Sequence, residues 1–161
     1  MIGTSIRLNL GCGKRLIDGF IGVDLKDADV EADIRKLPYE DESVDEIMAI
    51  HVCEHFYVHE IAKVLREWYR VLKPGGRLVI ELPCLDKVLE HFEKGSDLKF
   101  TLIALYGNPK THHEGEPSLH KWCWSRKQFM ALLNSVGLKD IYEETPHYHQ
   151  PSRDMRWVCR K

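Results

Sequence analysis

What most limits the fold of this chain is a series of short apolar runs, each closed by a turn or polar residue. Ile6 to Leu10 stops at Gly11-Cys12-Gly13, and Phe20 to Leu25 carries Asp24 near its end. Val30 to Ala32 runs into Asp33, Val44 to Ile50 into His51, and Arg77 to Leu82 into Pro83. Such lengths suit buried strands and are too short for core helices. Between the fourth and fifth runs, Ile61, Leu65, Trp68 and Leu72 recur at helical spacing. This predicts a helix over Val58 to Leu72, ended by Lys73-Pro74-Gly75-Gly76 because proline restricts the residue before it and glycine turns the chain.

Asp86 to Glu93 and Asp97 to Tyr106 read as two further helices. Ser125 opens another: Gln128 stands at capping-box spacing, Phe129, Leu132, Leu133 and Val136 form the apolar stripe, and Gly137 occupies the position after the last turn. Leu138 to Glu143 and Met155 to Cys159 make two last strands, joined by too little chain for a crossover helix and therefore antiparallel.

The order predicts an α/β fold: a Rossmann-like, doubly wound, mostly parallel seven-stranded sheet with an antiparallel C-terminal hairpin. Little chain separates Gly13 from Phe20 or Leu25 from Val30. The first helices of such a sheet must be shortened or replaced by loops, leaving one sheet face thinly covered. The 161 residues suit one domain, with residues 94–124 as an insertion or lid on the acceptor side. Within it, 107–124 is irregular and rich in His112, His113, Glu114, Glu116, His120, Trp122 and Trp124.

Composition narrows the partners. Apolar residues are 43% and charged residues 30%, and the formal net charge of −2 offers no global attraction to nucleic acid or anionic lipid. No run is long enough to cross a membrane, and Met1 to Asn9 lacks a signal peptide's pattern. Five scattered cysteines without a C-x-x-C pair fit a reducing cytoplasm. A homo-oligomer is compatible with all of this.

The chemistry lies at the strand ends. Gly11-Cys12-Gly13 lets the backbone turn sharply and a ligand approach without a Cβ in the way, though the third glycine of a pyrophosphate-binding turn is missing. Asp24 can accept both hydroxyls of a ribose. Asp33 and the Ile34 N–H can pair with an adenine edge. Gly11, Asp24, Asp33, His51 and Pro83 all fall at the C-terminal ends of successive strands, the edge where open α/β sheets bind ligands.

These stretches give the chain a resemblance to class I S-adenosylmethionine-dependent methyltransferases of the small single-domain kind. They are LNLGCG (8–13), IGVDL (21–25), ADIRKLPYEDESVDEI (32–47), HVCEH (51–55) and VLKPGGRLVIELP (71–83). The resemblance implies S-adenosylmethionine as cofactor and a small-molecule methyl acceptor. It implies Gly11 and Gly13 under the methionine end, Asp24 on the ribose, Asp33 and Ile34 on the adenine, and His51 near the sulfonium. Asn9, Cys12 and Leu25 complete the implied cofactor-binding set. Asn9 stands where many members carry an acid.

His51-x-x-Glu54-His55 also fits the H-x-x-E-H pattern of zinc peptidases, but that pattern must lie mid-helix and here it follows a strand. Some methyltransferases hold magnesium with E-x-x-E-H at this place, and His51 replaces the first glutamate. Imidazole suits zinc, nickel or iron better than magnesium, and whether a metal binds here stays open. The expectation for the reaction is methyl transfer to oxygen, with His51 or His55 taking the acceptor's proton. The alternative is a non-catalytic module of the same fold that binds the cofactor or a partner.

Overall fold

The computed structural model describes residues 5–95, 97–110 and 119–161. Its strands are β1 (Arg7–Leu10), β2 (Ile21–Asp24), β3 (Val30–Glu31), β4 (Val44–Ile50), β5 (Leu72–Pro83), β6 (Lys139–Glu144) and β7 (Asp154–Arg160). The helices are α1 (Ile61–Val71), α2 (Leu85–Glu93), α3 (Leu98–Tyr106) and α4 (Arg126–Val136). All seven strands form one sheet in the order β3-β2-β1-β4-β5-β7-β6. β1 to β5 pair in parallel, and β7 runs antiparallel to both β5 and β6. This is the expected Rossmann-like sheet, with turns in place of the first helices.

Side chains alternate across the sheet with the two-residue period of a strand. Ile47 and Ala49 of β4, Leu78, Ile80 and Leu82 of β5, and Met155, Trp157 and Cys159 of β7 face one large core. There they meet Ile61, Leu65 and Trp68 of α1 and Phe129 and Leu133 of α4. Met48, Ile50, Val79 and Val158 face the other side, where Ile17 and Phe20 pack on them. That face is thin, as the short β1–β2 connection requires, yet its four residues are buried.

Local signals set the element ends. Ser125 accepts from the Gln128 N–H, the Gln128 side chain returns to the Ser125 N–H, and Gly137 takes a φ of 100°. α1 starts at Ile61 rather than near Val58 because Cys53–His55 first forms a separate 3-10 turn. β5 begins at Leu72, earlier than the Lys73-Pro74-Gly75-Gly76 break implied. Gly75 N–H donates to the Lys161 carbonyl and Lys161 N–H to that of Gly76, so the end of the chain straightens this stretch. All five cysteines are free, and no helix among the described residues is long and apolar enough to cross a membrane.

Candidate functional site

A cavity of about 600 Å³ opens at the C-terminal edge of β1, β2, β3 and β4. Gly11, Asp24, Leu25, Asp33, Ile34, His51 and His55 line it, so most residues singled out from the sequence meet in one place. The turn after β1 explains why. Gly11 has a φ of 59°, and a Cβ there would stand 2.7 Å from Val52 Cγ2. Only glycine satisfies both the left-handed backbone and that approach. Gly11 N–H donates to the Val23 carbonyl at 2.8 Å, tying the turn to β2.

Asp24 closes the next link. Its Oδ2 accepts from Gly13 N–H at 2.8 Å and its Oδ1 from Leu25 N–H at 2.7 Å. Each oxygen keeps a second lone pair, enough for a diol. Asn9, Cys12 and Gly13 do not line the cavity. Asn9 is buried and its side-chain amide donates to the Arg15 carbonyl, which pins the 11–15 turn. Cys12 is buried as well. Their contribution is to hold the wall.

Asp33 is already engaged. Arg35 Nε and NH2 donate to its carboxylate at 2.9 and 2.7 Å, and the Arg35 backbone N–H adds a third bond. These hydrogen bonds hold the Asp33 carboxyl below the usual carboxylate range. The Ile34 carbonyl accepts from Trp68 Nε1 at 3.0 Å, anchoring that peptide to the core.

His51 departs most from expectation. Its φ is 56°, a strained value for a residue with a Cβ and a frequent mark of a functional site. Nδ1 lies 2.8 Å from Glu54 Oε1 and Nε2 lies 3.3 Å from Asp154 Oδ2. Burial opposes the charged ring, but the two carboxylates overcome it and raise its pKa to about 9. The two carboxylates hold the proton on the ring more firmly than on a free histidine, which works against the base role expected from the sequence. Glu54 sits at about 2: burial pushes it up, and the histidines around it pull it further down.

His149 was not anticipated. It reaches the cavity from the β6–β7 loop, its ring centroid 3.9 Å from that of His51. Burial, then the nearby His51 charge, lowers its pKa to about 4. Glu81 on β5 shapes that loop, accepting from the backbone N–H groups of His147, Tyr148 and His149. Arg35, Asp154 and His149 carried no sequence signal as site residues, since nothing local marks them. Of the 107–124 segment, Asn108, His120 and Lys121 line the cavity, and the N–H groups of Lys121 and Trp122 donate to the Glu54 carbonyl. His112, His113, Glu114 and Glu116 lie outside the described residues, and so does the central part of the expected lid. Pro83, the fifth strand-end residue, pairs with Asp154 in the sheet instead of lining the cavity.

Comparison with known proteins bears on this geometry. A family model described as "Methyltransferase domain" matches residues 19–80. The chain is 44% identical over 118 residues to a ubiquinone/menaquinone biosynthesis C-methyltransferase of Brucella canis, covering 70% of this chain and 42% of that protein. It is 32% identical over 118 residues to a sterol 4-C-methyltransferase of Caenorhabditis elegans, covering 70% of this chain and 32% of that protein. The chain thus spans less than half the length of these relatives. Among solved structures it is similar in fold to the 1,6-didemethyltoxoflavin-N1-methyltransferase of Burkholderia thailandensis with bound S-adenosylhomocysteine. The TM-score is 0.65 at 15% identity, over 98% of this chain and 71% of that one.

Proposed function

We propose, from its likeness to methyltransferases, that the chain is a class I S-adenosylmethionine-dependent methyltransferase whose strand-edge cavity binds this cofactor and passes its methyl group to a small molecule. The observation that carries the reading is Asp24. It lines a cavity within the size range of ligand pockets, and both its oxygens are aimed by backbone N–H donors.

The residues present fit the cofactor. Asp24 would take the ribose hydroxyls, and Gly11 would let the chain approach without a side chain between. Asp33 and Ile34 would edge the adenine, with Arg35 sharing the Asp33 carboxylate. When bound, S-adenosylmethionine supplies an activated sulfonium methyl. The chain's own work is then mostly orientation, holding nucleophile, methyl and sulfur in line. His51, fixed between Glu54 and Asp154, is a positioning residue in the wall beside the methyl's path.

The expectation of an oxygen acceptor finds no support. Both relatives named above are C-methyltransferases. The acceptor atom proposed here is carbon, on the strength of those relatives.

Calorimetric titration with S-adenosylhomocysteine tests the reading. One molecule should bind per chain, and Asp24→Ala should weaken binding by about 2–4 kcal/mol, the worth of two charge-assisted hydrogen bonds. Equal affinity in a folded variant would remove the assignment.

A further inference from the structure

We propose that Glu54, His55 and His120 form a binding site for one divalent transition-metal ion of the zinc type, with its remaining positions open to the cavity. The starting observation is a buried carboxylate with one oxygen left unpartnered. Glu54 is 1% exposed; His51 Nδ1 faces its Oε1 at 2.8 Å, but Oε2 receives no hydrogen bond. Buried carboxylate oxygens left without a partner are rare.

The two neighbouring histidines are prepared as ligands. His55 Nδ1 lies 3.0 Å from the Leu119 carbonyl and His120 Nδ1 lies 2.9 Å from the Ala104 carbonyl. A carbonyl only accepts, so Nδ1 carries a proton on each ring, and in the neutral form Nε2 presents its lone pair. A second hydrogen bond that fixes tautomer and ring direction is the usual support of a metal-binding histidine. His120 Nε2 lies 3.9 Å from Glu54 Oε1, and the ligand atoms of all three residues fall within 4.8 Å of one another. Bonds of about 2.1 Å would bring tetrahedral ligands to roughly 3.4 Å apart, a small side-chain movement. The backbone holds the arrangement, since the N–H groups of Lys121 and Trp122 donate to the Glu54 carbonyl.

A second cluster in the same wall shows the contrast. His51, Glu81, His149 and Asp154 are equally close together. There Glu81 accepts from three backbone N–H groups and Arg156, and Asp154 from Arg153 and Gln150. Both oxygens of those carboxylates are engaged by protein donors, whereas Glu54 keeps Oε2 without one. Two imidazoles and one carboxylate favour zinc, cobalt, nickel or iron over magnesium and calcium, which prefer all-oxygen sites. His55 and His120 line the cavity, so the open position faces whatever enters it. This gives His55 a ligand's part in place of a base's.

The test uses the whole chain, stripped with a chelator and titrated with cobalt(II) and zinc(II). Cobalt should bind at one equivalent with visible bands of a low-symmetry nitrogen and oxygen site, and zinc should displace it while millimolar magnesium does not. His55→Ala and His120→Ala should each weaken binding at least tenfold, while His59→Ala, an exposed histidine, should not. Asp24→Ala should bind metal as the wild type does, which separates this result from the cofactor assignment. Circular dichroism confirms that each variant folds, and Glu54→Gln serves as a third probe where it does. Absence of stoichiometric binding, unchanged affinity in both folded histidine variants, or a thiolate-to-cobalt band placing the ion on cysteine would each overturn the proposal.

Discussion

His51 at the end of β4 reaches Asp154 at the start of β7, its Nε2 3.3 Å from Oδ2 across 103 positions of sequence. Through Glu54 on the other side, the ring joins the parallel half of the sheet to the antiparallel hairpin by charge. This clamp makes His51 a cation in the folded chain, and a pH dependence follows. The folded pKa of about 9 lies above the unfolded value. The clamp's contribution is therefore fully present below about pH 6.5 and is lost as pH rises through 9. Its size is of order 3 kcal/mol. In chelator-treated protein, the melting-temperature gap between wild type and His51→Asn should shrink from pH 6 to pH 10. A ring proton titrating near 6.5 by NMR would contradict the clamp.

Gly11 is held by two constraints, and they can be separated. Gly11→Ala should destabilise the chain by about 1–3 kcal/mol through its left-handed backbone and the 2.7 Å approach to Val52. Adding Val52→Ala relieves the contact but not the backbone, so chemical denaturation should show partial recovery. Full recovery would mean that the φ value is unimportant.

Asp33 offers a sharper test of the adenine subsite than loss of affinity alone. Wild type should prefer S-adenosylhomocysteine to its inosine counterpart, which lacks the exocyclic amine. Asp33→Ala should bind the adenosine form less tightly and lose that preference. A preference that survives in the variant places the adenine elsewhere.

Glu81 gathers three backbone N–H groups and the buried Arg156. Glu81→Ala leaves that buried guanidinium with Glu144 as its remaining carboxylate partner and should cost about 3–5 kcal/mol. Replacing Arg156 as well, in a Glu81→Ala/Arg156→Leu double variant, should restore part of the stability. Thermal melts that show additive losses would deny the pairing.

The sheet was legible because its signals are local. The capping box at Ser125, the glycine turn after β1 and the apolar alternation of β4 each act within a few residues. The site's address was legible for the same reason, since Gly11, Asp24, Asp33 and His51 lie at or just past the ends of their strands. Roles that depend on distant chain were not. No spacing reveals that Asp154 charges His51, or that the β6–β7 loop brings His149 onto the same ring. Asn9 and Cys12 entered the cofactor set through the resemblance, and the structure buries both beside the turn. The pairing of Arg35 with Asp33 is local, yet an exposed i,i+2 pair has no pattern that sets it apart.

The central claim is that Asp24 touches the ribose of a bound S-adenosylmethionine, and a double-mutant cycle measures that contact apart from Asp24's hold on the turn. Calorimetry would compare S-adenosylhomocysteine with an analogue lacking both ribose hydroxyls, on wild type and on Asp24→Ala. Removing the hydroxyls should cost the wild type at least tenfold in affinity and cost the variant almost nothing. Equal losses in the two proteins, or no binding of S-adenosylhomocysteine by the wild type, would contradict the account.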